Sequence, residues 1–339
     1  MNIGITFDLK SDAPLESHLP DDLQEEFDSP HTIEAIAREL RALGHHVTKL
    51  GDGRPFLEQV LEAAPDFVFN FAEGAGVSRS REARVPAVLE MLGIPYTGSD
   101  PLTMAVTLDK DCAKRLVAAA GVAVPRSVTL GPRERLSGVA AEQLVFPLVA
   151  KPAWEGSSKG IRGKCLINSP AELPDVAAML RRDHAQPILL EEYIAGDELT
   201  VGMYGNDPPR ILGVMRVSPR QATEQFIYSL EIKRDYRRLV KYECPPPLPQ
   251  AILTKVEEAA CTAWRALGCR DVSRIDFRLR DGIPYFLEVN PLPGLNPDDS
   301  DLVIMANLVG WSYHQLIRTI LEAALERGHK PSGRCRTPS

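Results

Sequence analysis

Short apolar segments alternate with amphipathic segments over the first hundred residues, and this alternation restricts the fold more than any other feature of the sequence. Asn2–Phe7 and Phe67–Phe71 have the composition of buried strands. Between them, Ser29 and Pro30 form a helix-start signal, and the apolar spacing that follows is helical until Gly44. The pattern continues with a strand at 47–50 and helices at 56–64 and 84–92. It predicts a doubly wound α/β domain.

The order of elements changes after Asp109, where helices and strands no longer alternate regularly. The predicted elements are, in order, helix 112–120, strand 146–151, strand 160–167, helix 171–182, strand 187–191, strands 199–204 and 210–217, helix 249–267, a hairpin at 273–290 and helix 313–325. This order is typical of α+β units. We therefore predict domains at 1–109, 110–190 and 191–330, with a polar tail at 331–339. The acidic segment 10–28 and the polar segment 218–242 are predicted to be loops.

The composition excludes several classes of protein. The 339 residues carry a formal net charge of −7 and no long basic patch, so the sequence does not predict binding to nucleic acid or anionic membranes. No apolar run approaches the roughly 20 residues of a membrane-spanning helix, and the start lacks a signal-peptide pattern. The six cysteines contain no CxxC pair. We expect a cytoplasmic enzyme or binding protein with reduced thiols.

A predicted hairpin near the C-terminal end carries the polar residues of greatest chemical interest. If a three-residue loop at 280–282 closes the hairpin, Asp276 lies opposite Phe286 and Arg274 lies opposite Glu288. Because side chains alternate between the faces of a strand, four polar residues then share one face: Arg274, Asp276, Glu288 and Asn290. In this interpretation, a two-residue turn would move Asp276 to the other face and disrupt the site.

Two carboxylates and an amide oxygen form an all-oxygen set of donors, which suits Mg²⁺ better than Zn²⁺. A neighbouring arginine suits a phosphate group or a developing oxyanion. An ordinary amphipathic hairpin with solvated charges is the alternative, and the hairpin alone does not exclude it.

A glycine- and serine-rich loop is the second candidate feature. Residues 155–160 read Glu-Gly-Ser-Ser-Lys-Gly, and their exposed amides and hydroxyls could close over phosphate oxygens. The loop lacks the spacing of a Walker A motif, and a flexible turn is the alternative. Lys151 ends the apolar strand before it, where a lysine is costly unless it meets an anion. Lys110 occupies a comparable position at a helix start, although a surface lysine is also common there.

The strand at 187–191 is the third feature, because it ends in carboxylates. Main-chain groups of the segment that follows could bind an adenine, and Glu198 could accept ribose hydroxyls. The alternative is a strand end and a turn without function. The residues of interest are Glu191, Glu192, Ile194 and Glu198.

Taken in order, these features resemble the ATP-grasp superfamily, and within it the D-alanine–D-alanine ligases over residues 1–325. The most specific stretches are 93–99 (GIPYTGS), 151–158, 274–276, 288–290 and 293–294. The resemblance implies an ATP-grasp fold, with a Rossmann-like N-terminal domain followed by two α+β domains that clamp ATP. It also implies a possible homodimer.

The same resemblance implies roles for individual residues. Lys110 and Lys151 would bind the nucleotide phosphates, with Glu191, Glu192 and Ile194 at the adenine and Glu198 at the ribose. The loop of Glu155, Gly156, Ser157 and Ser158 would close over the γ-phosphate with help from Lys233. Asp276, Glu288 and Asn290 would hold two Mg²⁺ ions, and Arg274 would stabilise a tetrahedral oxyanion. A carboxylate would become an acyl phosphate that an amine attacks, with release of ADP and phosphate.

This chain departs from the family pattern on the substrate side. Ala72-Glu73-Gly74 replaces a His-Gly pair, Arg234 replaces a tyrosine after the lid lysine, and the segment after Asn290 is one residue longer. Asp301 lies beside the position expected for an acceptor-binding serine, unless Ser300 takes that position. The candidate substrate residues are Glu16, Glu73, Gly294, Ser300, Asp301 and Leu302, with Glu25 and Glu26 as further candidates for the donor ammonium.

Three functional hypotheses follow. The first is an ATP-dependent ligase that joins two small amino acids, as in the synthesis of wall precursors. We expect its second substrate to differ from D-alanine and to carry a cationic or uncharged group near residues 298–301. The second is the same chemistry in the synthesis of a specialised metabolite. The third is a nucleotide-binding regulator without catalysis, which substrate-dependent ADP formation would exclude.

Overall fold

The computed structural model describes residues 1–11, 19–134 and 144–329, with side chains to residue 327. The N-terminal elements are β1 (Asn2–Phe7), α1 (Pro30–Ala42), β2 (His46–Gly51), α2 (Gly53–Glu62), β3 (Phe67–Phe71), a 3-10 turn (Arg81–Ala83), α3 (Arg84–Leu92) and α4 (Pro101–Leu108). The middle elements are α5 (Lys110–Ala119), β4 (Ser127–Leu130), β5 (Leu148–Pro152), a 3-10 turn (Gly163–Cys165), β6 (Leu166–Ile167), α6 (Leu173–His184) and β7 (Ile188–Glu192).

The remaining elements are β8 (Asp197–Gly205), β9 (Pro209–Pro219), α7 (Leu230–Arg234), α8 (Tyr236–Leu239), β10 (Val240–Glu243), α9 (Gln250–Leu267), β11 (Asp271–Arg280), β12 (Ile283–Asn290), α10 (Asp301–Leu308) and α11 (Tyr313–His329). None of the helices in the described ranges is long and apolar enough to cross a membrane. The predicted polar tail at 331–339 lies outside the described residues.

The first sheet is parallel, in the order β2-β1-β3, and it has helices on both faces as the alternation predicts. Ser29 caps α1, because its hydroxyl accepts a hydrogen bond from the amide of Thr32 at 3.2 Å. On one face α1 packs against β1 and β3, together with apolar residues of α10 and α11. On the other face, α2 and α3 cover Val68 and Leu50. The C-terminal helices therefore complete the core of the N-terminal sheet.

The other two sheets are antiparallel, which agrees with the predicted α+β character of this part. The smaller has the order β4-β7-β5-β6 and packs against α6. The larger has the order β10-β9-β8-β11-β12 and packs against α5 and α9. Its last two strands form the hairpin that carries the candidate metal ligands.

The register of this hairpin differs from the prediction. Arg280 pairs with Ile283 across a two-residue turn, and Asp276 pairs with Glu288. Asp281 and Gly282 both have positive φ (53° and 74°), as expected of the mirror-image turns that suit right-twisted strands. The two-residue turn does not disrupt the site, because a β-bulge at Leu287 shifts the register between Phe277 and Asp276. The extra residue returns Glu288 to the face of Asp276.

Other segments also differ from the prediction. The strand expected at 160–167 is reduced to β6, because a 3-10 turn precedes it. The loop expected at 218–242 contains α7, α8 and β10. Helices α4 and α10 were not predicted. In the acidic segment 10–28, residues 19–28 form successive turns, with Asp22 and Glu26 buried.

Candidate active site

Two cavities lie beside the hairpin and share three lining residues, Lys233, Arg274 and Asp301. The larger, of about 330 Å³, is bounded by the serine loop at 155–160, the acidic segment at 25–29 and the segment at 289–301. The smaller, of about 90 Å³, lies between β5, β7 and the hairpin. With the exception of Leu302, the predicted site residues described by the structure line one or both of these adjoining cavities. Glu16 lies outside the described residues.

The candidate metal ligands are adjacent on the hairpin. Asn290 Nδ2 lies 3.3 Å from Asp276 Oδ2, and the Thr200 hydroxyl donates to Asp276 Oδ1 at 2.9 Å. Burial raises the pKa of Asp276 more than Arg274 lowers it. Burial would also raise the pKa of Glu288, but nearby lysines outweigh it and lower the pKa of this carboxyl to about 2. Of the two acids, Glu288 therefore stays ionised.

The donor set fits a magnesium ion that is completed by other ligands. Among the residues described, no three His, Cys, Asp or Glu side chains converge on one point. Asp276, Glu288 and Asn290 supply only oxygen donors, and Mg²⁺ is usually held by one or two carboxylates together with phosphate oxygens and water. The hairpin alone is thus an incomplete shell that a bound triphosphate would complete.

Lysines from two other elements converge on the same region. Lys110, at the start of α5, lies 2.9 Å from Glu288. Lys151, in β5, lies 2.5 Å from the buried Glu191. Lys114, one turn after Lys110, lies 2.9 Å from the other oxygen of Glu191 and donates to the carbonyl of Phe286 at 3.2 Å. Burial and the charge of Lys151 lower the pKa of Lys114 to about 8, although Glu191 acts in the opposite direction.

Residues predicted at the nucleoside line the smaller cavity, and two of them are paired with arginines of the hairpin. Glu198 lies 2.8 Å from Arg278, and burial nevertheless raises its pKa. Glu192 lies 2.7 Å from Arg280. Ile194 is buried and supplies an apolar wall. The cavity therefore combines an apolar surface with carboxylates at its edge.

The serine loop makes a tight turn through two residues in the left-handed region. Ser157 and Ser158 have positive φ values of 49° and 59°. The Ser158 hydroxyl donates to the carbonyl of Tyr228 at 3.1 Å, and the Gly156 amide donates to Glu26. The carboxylate of Glu155 points into the protein, where it lies 2.9 Å from Lys159. Its position suits support of the loop better than contact with a nucleotide.

Arg274 is held between two buried acids. Its guanidinium lies 3.0 Å from Asp276 and 3.1 Å from Asp301. Asp301 Oδ1 also lies 3.4 Å and 3.2 Å from the hydroxyls of Tyr228 and Tyr242, which are 2.6 Å apart. Although burial opposes the charge of Arg274, the neighbouring acids raise its pKa. Asp301 is therefore an internal partner of the arginine.

The other substrate candidates have different surroundings. The Ser300 hydroxyl accepts a hydrogen bond from the backbone amide of Asn296 at 2.9 Å, and Gly294 packs against Ser300. Leu302 is buried in the core of the first sheet and lines neither cavity. Lys233 lies in α7 and lines both cavities. Its charge lowers the pKa of Asp299, but burial outweighs this effect and raises that pKa.

Glu73 and Glu82 both line the larger cavity, and their carboxyl groups are in contact. Gly74 makes this possible, because it has a φ of +80° and a Cβ atom there would lie 2.7 Å from the Arg81 carbonyl. The segment after β3 therefore packs directly on the 3-10 turn that carries Glu82. Burial and the neighbouring acids raise the pKa of Glu73 well above its usual range, and burial raises that of Glu82 to about 7.

Several of these residues were missed from the sequence. Lys114 follows Lys110 by four residues, and this helical spacing could have identified it as a residue of the same face. Arg278 continues the alternation of Arg274 and Asp276, and it could have been found in the same way. Glu82 and Arg81 gave no signal, because their turn was not predicted.

Comparison with known proteins places these features in one family. The profile of the D-ala D-ala ligase C-terminus matches residues 116–322. A protein of Sinorhizobium fredii described as uncharacterized is 34% identical over 306 residues, 87% of each chain. A D-alanine–D-alanine ligase of Parvibaculum lavamentivorans is 35% identical over 300 residues, 85% of this chain and 90% of the ligase.

Among solved structures, the D-alanine–D-alanine ligase from Bacillus anthracis complexed with ATP superposes with a TM-score of 0.72 at 23% identity, over 96% of this chain and 98% of that one. The predicted ATP-grasp fold is thereby confirmed. The chain belongs to the D-alanine–D-alanine ligase family, whose members are ATP-dependent, ADP-forming ligases. Membership implies ATP and a divalent metal ion as cofactors and small molecules as substrates.

Proposed function

We propose that this chain joins two amino acids, or an amino acid and another amine, through an acyl-phosphate intermediate. The observation that carries the proposal is the convergence of Asp276, Glu288 and Asn290 with Lys110 and Arg274 on one region. Phosphoryl transfer to a carboxylate requires positioning and charge neutralisation more than a protein nucleophile. This cluster supplies both.

The donor carboxylate would attack the γ-phosphorus, forming a carbon–oxygen–phosphorus link while the bond to the β-phosphate oxygen breaks and ADP leaves. The neutral amine would then attack the carbonyl, phosphate would leave, and the amine would lose its proton. We assign phosphate binding to Lys110, Lys151 and the serine loop, and the developing oxyanion to Arg274. Two Mg²⁺ ions at Asp276, Glu288 and Asn290 would neutralise the phosphate charge.

The acceptor side supports a second substrate other than D-alanine. Arg274 is paired with Asp301, which is itself within reach of two tyrosine hydroxyls. A carboxylate in this position repels the carboxylate of an amino-acid acceptor at the same guanidinium. An acceptor with a cationic or uncharged group near Asp301 fits better, and this favours a role in making a specialised conjugate.

The test is ADP release measured over pairs of amino acids and amines, in wild type and in two variants. Arg274→Gln is expected to lower kcat by about 100-fold or more, because an oxyanion donor is lost. Asp301→Ser is expected to increase the use of D-alanine as acceptor. Arg265→Gln, at an exposed position of α9, is the control and should leave activity unchanged.

Two results would contradict the proposal. No ADP release with any pair would favour the nucleotide-binding regulator. Strong activity with D-alanine alone, unaltered by Asp301→Ser, would contradict the altered acceptor site.

A further inference from the structure

Arg278 is buried beside the smaller cavity, and no step of the proposed reaction uses it. It lies in β11, is only 4% exposed and lines the cavity together with Glu198. A guanidinium carries five N–H donors in a planar fork and keeps its charge at any pH that a folded protein meets. Burial of such a group is costly unless its charge and its donors find partners. The partners of Arg278 therefore indicate what this arginine does.

The guanidinium of Arg278 joins three segments that are separate in the sequence. It donates to the carbonyl of Gly196 at 3.1 Å, in the turn between β7 and β8. It lies 2.8 Å from the carboxylate of Glu198, at the start of β8. It also donates to the carbonyl of Phe226, in the segment that precedes α7. Arg278 therefore fixes parts of the chain around the smaller cavity relative to one another.

Two aromatic rings hold the guanidinium in place. Its central carbon lies 5.1 Å from the ring centre of Tyr193 and 5.9 Å from that of Phe226, and a cation is attracted to a ring at these distances. The Tyr193 hydroxyl donates to the Phe226 carbonyl at 3.1 Å and accepts from the Phe226 amide at 3.0 Å. Ile227 and Tyr228, which follow directly, line the cavity. The contacts of Arg278 thus also position this wall.

The contact with Arg278 leaves the Glu198 carboxylate able to bind a ligand. Arg278 reaches Oε2, and the Glu198 side chain is still 14% exposed and lines the cavity. Because a carboxylate accepts hydrogen bonds at both oxygens, Oε1 can accept one from a hydroxyl of the ligand. Burial raises the pKa of Glu198, and Arg278 acts in the opposite direction. The arginine therefore orients the carboxylate and favours its ionised form, which is the stronger acceptor.

We propose that Arg278 is a positioning residue that sets the preference of this chain for the sugar of its nucleotide. It holds Glu198 where the carboxylate accepts a hydrogen bond from a ribose hydroxyl, and it holds the wall at 226–228 against the same nucleoside. A nucleotide without that hydroxyl leaves one oxygen of a buried carboxylate unpaired, which is costly. This inference rests on the proposed function, because it takes ATP as the nucleotide and Glu198 as the ribose ligand.

The experiment measures the Kd of ATP, 2′-deoxy-ATP and 3′-deoxy-ATP by titration calorimetry, with Mg²⁺ and without amino acids. Wild type is expected to bind ATP at least about tenfold more tightly than one of the two deoxy nucleotides, since a hydrogen bond to a charged acceptor is a strong one. In Arg278→Met this preference is expected to fall to about threefold or less. Glu198→Gln keeps the arginine and removes the charged acceptor, and it should reduce the preference to a similar extent.

Two further variants separate positioning from a general effect of burial. Arg278→Lys keeps the positive charge but lacks the planar fork, so it should recover only part of the preference. If Arg278→Met does not fold, Arg278→Lys decides the question, with a preference at least about threefold weaker than that of wild type. Arg318→Met is the matched control, because it removes an arginine–glutamate pair of 2.7 Å on an exposed face of α11. It should leave the preference and the activity unchanged.

The outcomes distinguish this inference from the proposed function. An unchanged preference in Arg278→Met and Arg278→Lys overturns the inference, and a lowered thermal midpoint with that result would give Arg278 a structural role alone. Equal binding of the three nucleotides by wild type, or an unchanged preference in Glu198→Gln, also overturns it and leaves the ligase reaction standing. If wild type does not bind ATP, the proposed function and this inference both fail.

Discussion

At the scale of single residues, the buried Glu191 shows how charges are distributed around the nucleotide region. Lys151 and Lys114 contact its two oxygens at 2.5 Å and 2.9 Å. Both lysines lower the pKa of Glu191, although burial alone would raise it. Two cations around one carboxylate leave a net positive charge, and this surplus favours a phosphate group at Lys151.

We predict that Lys114→Met raises the KM of ATP about tenfold, because Glu191 then neutralises Lys151 alone. The loss of a buried cation should also lower the free energy of unfolding by about 1–3 kcal/mol. Steady-state kinetics and denaturant unfolding measure the two effects. Arg115→Met is the control, since the Arg115 side chain is 71% exposed. An unchanged KM in Lys114→Met would show that Lys151 acts independently.

The sequence identified charged residues that belong to the site, but it did not identify the residues that they contact. Lys151 was predicted as a site residue because a charged group that ends an apolar strand is costly without a function. Glu288 was predicted from the alternation of side chains in the hairpin. Glu155 was predicted as part of the glycine- and serine-rich loop, yet its carboxylate is paired with Lys159 inside the protein. Which cation an acid meets depends on packing between distant segments, and local spacing does not contain that information.

At the scale of elements, the sequence predicted the correct face for the polar residues of the hairpin but an incorrect register between its two strands. Regular alternation was assumed from the turn to Asn290, so a two-residue turn was expected to disrupt the site. The bulge at Leu287 adds the one residue that restores alternation. A bulge has no reliable local signature in a single sequence, whereas α1, which begins with a capping serine and a proline, was predicted within two residues.

Helix α7 is tied to the acidic segment of the first unit, and this contact can be tested. Arg234 lies 2.7 Å from both Asp21 and Glu25. We predict that Arg234→Gln makes cleavage by trypsin at Arg220 about threefold faster, because exposed ion pairs contribute roughly 0.2–1 kcal/mol. The difference should shrink in high salt.

Arg238→Gln is the matched control, because Arg238 is 75% exposed and pairs within its own segment with Asp235. Equal cleavage of both variants would show that the acidic segment does not hold α7. Release of ADP without an acceptor measures the functional effect, and it should increase if α7 helps to exclude water.

At the scale of the whole molecule, the candidate site is assembled from two sheets and the helix α5. Lys151 and Glu191 come from the smaller antiparallel sheet, and Asp276 and Glu288 come from the larger one. We propose that the boundaries 1–109, 110–190 and 191–330 separate the units that hold these parts. A homodimer and a cytoplasmic location also remain predictions.

We predict that ATP with Mg²⁺ raises the thermal midpoint by several degrees, since a ligand at 100 times its Kd stabilises a protein by about 2.7 kcal/mol. ATP with a chelator should give a smaller increase, because Asp276 and Glu288 then face the triphosphate without a metal ion between them. In Asp276→Asn the effect of Mg²⁺ should shrink. If wild type had the same midpoint with ATP and Mg²⁺ as with ATP and a chelator, this would argue against a metal ion at the hairpin.

The packing of α11 has a consequence for folding during synthesis. Leu316, Ile317 and Ile320 of α11 lie in the same core as Ile3 and Ile5 of β1. Arg327 lies 2.9 Å from Asp271, which in turn accepts a hydrogen bond from Gly98 at 2.8 Å. During synthesis the N-terminal sheet emerges well before α10 and α11, which cover part of it. The newborn first unit must therefore expose part of an apolar face until these helices are made, and a product that terminates before them would retain it.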